Sequence, residues 1–247
     1  TNMTEFGLLQ KKGIIAFTDG IRTIQNTQLM SRIMNSAKDL GSLIMQHAED
    51  LDLSKNGMIN SGIIATKLGL AGIPDVAERI IIERDLTLLE NIKCRYHISQ
   101  ISSEKSVEAI KQRKEKIKFT CGVSINNLSL NENDIGDFRT FLKLSPPLRT
   151  EEDRVSLVNA LKDEIIDVIV SDHKPEDEES KRLTFAQAAT GASGIETLLS
   201  LSLELYHNGS VKLETIIKAL TSNPAKILKI DKGNLSIGAD ADFSIVD

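Results

Sequence analysis

Apolar positions recur along this chain in two rhythms. Short, nearly continuous apolar runs lie at 13–18, 42–46, 93–98, 117–123 and 165–170, and longer stretches between them carry apolar residues on one helical face. Continuous runs suit strands buried on both faces of a parallel sheet, and the 3.6-residue stretches suit the helices that cover it. The pattern predicts helices at 27–40, closed by Gly41, at 75–90, from the Ser102-Ser103-Glu104 cluster to 114, and at 151–162. Pro74 stands where a first helical turn tolerates it. Strand and helix alternate in units of roughly 30 to 50 residues, the signature of βαβ crossovers, so the expected fold class is α/β, with the parallel sheet of a barrel.

The polar residues that close these runs carry the candidate chemistry. Asp19, His47, His97 and Asp172 each end a separate strand-like run, and Pro175 stops the last one. In an α/β barrel the carboxyl ends of the strands hold the active site, because the strand fixes the backbone while the next loop meets the substrate. Two imidazoles and two carboxylates converging at one mouth would suit zinc. Plainer roles stand beside that one: a histidine at a strand end can be a hydrogen-bonded core residue, Asp19 can serve the turn at Gly20, and Asp172 can cap a helix. His207, in Tyr206-His-Asn-Gly209, belongs to a helix exit and carries no chemical role.

Composition narrows the partners. The 247 residues are 40% hydrophobic and 26% charged with net charge −5, enough for a substantial core of one large domain or two small ones. An acidic balance without a Lys/Arg tract argues against a nucleic-acid surface, and the run from Lys111 to Lys116 reads as a solvated helix end. No apolar run reaches the ~18 residues a membrane span needs. Cys94 and Cys121 each lie inside a strand-like run, which suggests neither disulfide nor zinc knuckle and a reducing, cytoplasmic setting. The chain starts on Thr1 and stops within a strand-like run at 239–247, so a piece of a longer protein is expected. The helix at 77–90 has an apolar face that would serve barrel packing or a homodimer equally.

Several segments carry a family resemblance. Ala16-Phe-Thr-Asp19-Gly20, His47-Ala-Glu-Asp50, Tyr96-His97-Ile-Ser-Gln-Ile-Ser102, Lys143-Leu-Ser-Pro146-Pro147-Leu-Arg149 and Ser171-Asp172-His173-Lys-Pro175 follow one another as similar segments do in class I dihydroorotases of the amidohydrolase superfamily. Gly191-Ala-Ser-Gly194 and Asn223-Pro224-Ala225 continue the likeness, and Gly238-Ala-Asp-Ala-Asp242 resembles the return into that family's small β-sandwich. The resemblance implies a (β/α)8 TIM-type barrel lacking its first strands, with residues 1–228 as the barrel part from about strand four onward and 229–247 as the start of the sandwich.

It also implies zinc-dependent, reversible cyclisation of N-carbamoyl-L-aspartate to L-dihydroorotate in pyrimidine biosynthesis. Two zinc ions are expected, with Asp19 bridging them, His47 and His97 on the second, and Asp172 both a ligand of the first and the acid/base. The chain departs from the family's pattern at three substrate-side positions: Asn127 ends a Ser-Ile-Asn-Asn run where Thr-Pro-His-His is common, Ser145 replaces an asparagine, and Glu176 replaces a histidine. The family's opening His-x-His pair does not occur in the chain, and the 247-residue piece alone is expected to be inactive. A second reading follows: a dihydroorotase-like protein without catalysis, serving as a structural partner of aspartate transcarbamoylase. A third keeps the site and changes the substrate to another cyclic amide or ureide.

Overall fold

A computed structural model describes residues 3–246. Its centre is a five-stranded, wholly parallel sheet in the order β1 (Ala16–Thr18), β2 (Leu43–Gln46), β5 (Arg95–Ile101), β6 (Thr120–Ser124) and β7 (Val168–Val170). Each of the five apolar runs supplies one strand, shortened or shifted by a few residues from the expected span. Consecutive strands are neighbours, as in successive strands of a barrel wall.

Helices cover the outer face. The helix α2 (Thr27–Leu40) is capped by the Asn26 side chain and closed by left-handed Gly41, φ 64°. Helices α4 (Val76–Ile92), α5 (Glu104–Lys114) and α7 (Glu151–Lys162) follow Ile73, β5 and a long loop. Ser103 caps α5, and Thr150 and Asp153 form a reciprocal capping box on α7, satisfying backbone donors that a helix start leaves free. Met30, Met34, Ile82, Leu86, Ile98 and Ile110 are fully buried between helices and sheet, each contributing about 2 kcal/mol. On α4, Ile81, Ile82, Leu86 and Leu89 belong to this core.

A second, two-stranded parallel ladder, β3 (Ile59–Asn60) with β4 (Gly72–Ile73), lies in the loop after β2 around the short helix α3 (Ile63–Leu68). A buried polar network ties it to the sheet. Arg149 donates to Ser102 Oγ (3.1 Å), Asn60 Oδ1 (2.9 Å) and the Ile73 carbonyl (2.6 Å), while Glu78 accepts from Ser102 and Glu132 accepts from Asn60. After β7 come α9 (Leu198–His207), α10 (Leu213–Leu220) and α11 (Ser222–Leu228). The strand expected at 239–247 does not form within 239–246, and Asp247 lies outside the described residues. A strand persists by pairing its backbone with a neighbour, and this stretch has none among the described residues, with Ile237 and Ile245 exposed.

Candidate active site

The loops leaving the carboxyl ends of β2, β6 and β7 enclose a cleft of about 220 Å³ lined by Glu49, Ser145, Asp172, Lys174, Thr190 and Gly191. Asp172 reaches it through a left-handed backbone, φ 50°, a conformation that aspartate tolerates better than most residues. Its Oδ1 accepts from Gln100 Nε2 (2.9 Å) and its Oδ2 from Ser124 Oγ (3.4 Å). Burial pushes its carboxyl above the usual range, against the pull of those two donors and the charges of His47 and Lys174.

His47 is buried beside the cleft. Its Nε2 faces Glu49 Oε2 at 3.1 Å, and because a carboxylate only accepts, that nitrogen carries the proton. Burial works to raise the Glu49 carboxyl, yet hydrogen bonds from His47 and Ser54 and the charges of His47 and Arg149 leave it below its usual value. Ser145 Oγ lies 3.4 Å from the same Nε2. A serine nucleophile needs base and orienting acid on opposite ring nitrogens. Serine and acid share one nitrogen here, which is not a Ser-His-acid relay.

Of the four strand-end residues, the structure brings His47 and Asp172 to the same cleft. His97 lies deeper on β5: its Nδ1 meets Thr120 Oγ1 at 2.8 Å, and burial lowers its pKa to about 4, so the ring stays neutral at pH 7. Asp19 is exposed at the turn before Gly20 and opens on a separate cleft with Met3, Phe6 and Phe17. Among the described residues, no three His, Cys, Asp or Glu side chains stand together as a metal-holding group. The two-zinc arrangement expected from the resemblance does not fit the residues as placed.

A β-bulge explains the change at β5. Ile98 pairs with Cys121 and Ile101 with Val123, so β5 inserts one extra residue against β6. Ile98 and Ile101, three apart, therefore both enter the helix-side core, and Gln100 turns to Asp172. Gly122 opposes the bulge, where a Cβ would stand 2.6 Å from the Ser99 carbonyl.

The substituted positions have separate surroundings. Ser145 borders the cleft. Asn127 is buried away from it, donating to the Pro147 carbonyl at 3.0 Å, with its Oδ1 unpartnered among the described residues. Glu176 lies 3.4 Å from the Lys174 ammonium, which also donates to the Thr190 carbonyl at 2.6 Å. Sequence reasoning did not single out Glu49, Gln100, Ser124 or Lys174. Glu49 and Lys174 lie two residues from His47 and Asp172, a spacing that could have flagged them, whereas nothing in the sequence marks the bulge that turns Gln100.

The parallel sheet thus carries, at its strand ends, a cleft in which Glu49, Asp172 and Lys174 meet. The backbone superposes on dihydropyrimidinase from Brevibacillus agri with TM-score 0.81 at 24% identity, covering 96% of this chain and 55% of that one. L-hydantoinase from Arthrobacter aurescens gives TM-score 0.78 at 26% identity, with 92% and 53% covered. A family model described as dihydro-orotase-like matches residues 1–106. A dihydroorotase from Ehrlichia canis is 43% identical over all of this chain and 56% of its own length, and one from Anaplasma phagocytophilum is 39% identical over 99% and 55%. Over its whole length the chain is thus similar to dihydroorotases, and its first 106 residues match the dihydro-orotase-like family model. It spans about half the length of the curated relatives it matches.

Proposed function

We propose that the full-length protein is a cyclic amidohydrolase that interconverts dihydroorotate and N-carbamoyl aspartate in the cytoplasm, as a step of pyrimidine synthesis. The observation that carries this reading is Asp172, a carboxylate of raised pKa in a cleft at the strand ends, in a chain 43% identical to a dihydroorotase. Two free, buried thiols, Cys94 and Cys121, suit a reducing compartment. No helix among the described residues is long and apolar enough to cross a membrane. Residues 229–247 belong, in this reading, to the return into a β-sandwich.

In the hydrolytic direction water adds to the ring amide carbonyl and the C–N bond breaks. Asp172 accepts the proton of the attacking water and delivers it to the departing nitrogen, and its raised pKa brings it nearer to the working pH. Gln100 and Ser124 hold the carboxylate in place. Lys174 places a positive charge in the cleft for a substrate carboxylate, and its contact with Glu176 offsets the acid that replaces the family's imidazole. Zinc would supply a water of lowered pKa. Among the described residues, as placed, no three His, Cys, Asp or Glu side chains form its site.

Cyclisation of carbamoyl aspartate by the purified full-length protein tests the reading, with Asp172→Asn beside it. The variant should lose about 10²- to 10⁴-fold in kcat while keeping its fold. Full activity in Asp172→Asn would end the acid/base assignment. No turnover in the wild type would end the enzymatic reading, and co-purification with aspartate transcarbamoylase would then examine the non-catalytic one.

A further inference from the structure

His173 follows Asp172 directly but lies outside the lining of the cleft. We infer that it is a positioning residue, which holds Asp172 in its left-handed backbone and so keeps the carboxylate aimed at Gln100 and Ser124; this rests on Asp172 being the acid/base, as proposed above. The His173 Nδ1 lies 3.1 Å from the Gly194 amide nitrogen and 3.3 Å from that of Ile195. A backbone N–H only donates, so Nδ1 carries no proton and accepts from both. One ring thereby ties the residue after Asp172 to the loop that follows the cleft-lining Thr190 and Gly191.

Asp172 is held from both sides. Upstream, β7 pairs with β6 as far as Val170, opposite Ser124. Downstream, His173 bridges to Ala192, and the Lys174 N–H donates to the Ala192 carbonyl at 2.9 Å. The two segments touch closely, since a Cβ on Gly194 would stand 2.1 Å from the Ser171 carbonyl. A left-handed backbone is sparsely populated by residues other than glycine and persists where the surroundings over-determine it. Removing the His173 acceptor leaves the Gly194 and Ile195 N–H groups without that partner and loosens the chain on one side of Asp172. Its backbone then relaxes toward an ordinary region, and the rotation swings the carboxylate off Gln100 and Ser124.

The test compares three variants of the full-length protein. Asparagine sets its Oδ1 close to the place of Nδ1 and can accept from both amides, glutamine sets its polar group near the place of Nε2, and alanine removes the acceptor outright. In carbamoyl aspartate cyclisation, His173→Ala and His173→Gln should lose about 10- to 100-fold in kcat with KM within about twofold, and His173→Asn should regain most of that loss. Crystal structures should show Asp172 out of the left-handed region, with its carboxylate off Gln100, in the alanine and glutamine variants only. A kcat within about twofold of wild type in His173→Ala overturns the inference, as does the absence of any difference between His173→Asn and His173→Gln. So does an Asp172 that keeps φ near 50° and its contacts with Gln100 and Ser124 in His173→Ala. If His173→Ala does not fold, the comparison of asparagine with glutamine decides. If the wild type shows no turnover, the enzymatic reading falls, and the crystal structures alone decide whether His173 holds Asp172.

Discussion

Replacing Lys143 by methionine should loosen one wall of the cleft. Lys143 is 9% exposed, and its ammonium donates to the carbonyls of Phe185, Ala186 and Ala188 at 2.9, 3.0 and 2.8 Å. Its own carbonyl accepts from Gly191, which borders the cleft. Burial lowers its pKa, so part of the gain from these bonds goes to desolvating the charge. Hydrogen bonds to a charged group are worth about 1.5–3 kcal/mol each, and three carbonyls left without a donor lose more than one such bond; after desolvation and partial rehydration we expect a net loss of about 3 kcal/mol.

Methionine keeps the stem and its packing on Phe185 but loses the cation over that ring, 5.9 Å from its centroid, worth about 0.5–1 kcal/mol more. Urea unfolding measures the total, and hydrogen exchange locates it. Amides of 185–191 in the full-length protein should exchange on the order of 100-fold faster, while those of β5 and β6 change only with global stability. Unchanged protection at 185–191, with stability within about 0.5 kcal/mol of wild type, would refute the clamp.

Three further outcomes follow from other contacts. Gly122→Ala should cost about 2–3 kcal/mol in urea unfolding, because its Cβ would meet the Ser99 carbonyl at 2.6 Å and backbone must shift; a neutral effect would mean that the bulge is soft. Tyr96→Phe removes a 2.6 Å hydrogen bond to the buried Asp85, whose pKa burial raises. A raised folded pKa means stability is lost as pH rises through it, so the penalty, about 1–3 kcal/mol at neutral pH, should shrink in acid where Asp85 is protonated; a pH-independent penalty would contradict this. Arg149→Lys keeps the charge but loses the planar fork to Ser102, Asn60 and Ile73, and its urea midpoint should fall by the equivalent of about 2 kcal/mol.

The sheet was legible because parallel strands buried on both faces leave continuous apolar runs, and α2, α5 and α7 were legible through their caps and period. The β3–β4 ladder was not: two residues a strand leave no periodic trace, and Asn60 is held there by Arg149, distant in sequence. In the cleft, Asp172 was readable from a buried run ended by a proline, and His47 from the polar cluster after β2. His97 was read as closing its run, whereas β5 continues past it to Ile101, because an apolar run marks a face but not a depth. Asp19 ended its strand as expected, and the turn at Gly20 left it exposed, so the plainer reading describes its placement.

The bulge in β5 makes that strand behave like a sentence whose reading frame shifts partway through. Up to Ile98 the helix-side positions fall on even numbers, and Ile101, the last residue of the strand, falls on an odd one. Helix packing and cleft chemistry along one strand are thereby uncoupled. Deleting a single residue from Ser99-Gln100 would restore strict alternation and leave Ile101 in the helix-side core, while substitutions above the bulge could retune the cleft without disturbing the residues below.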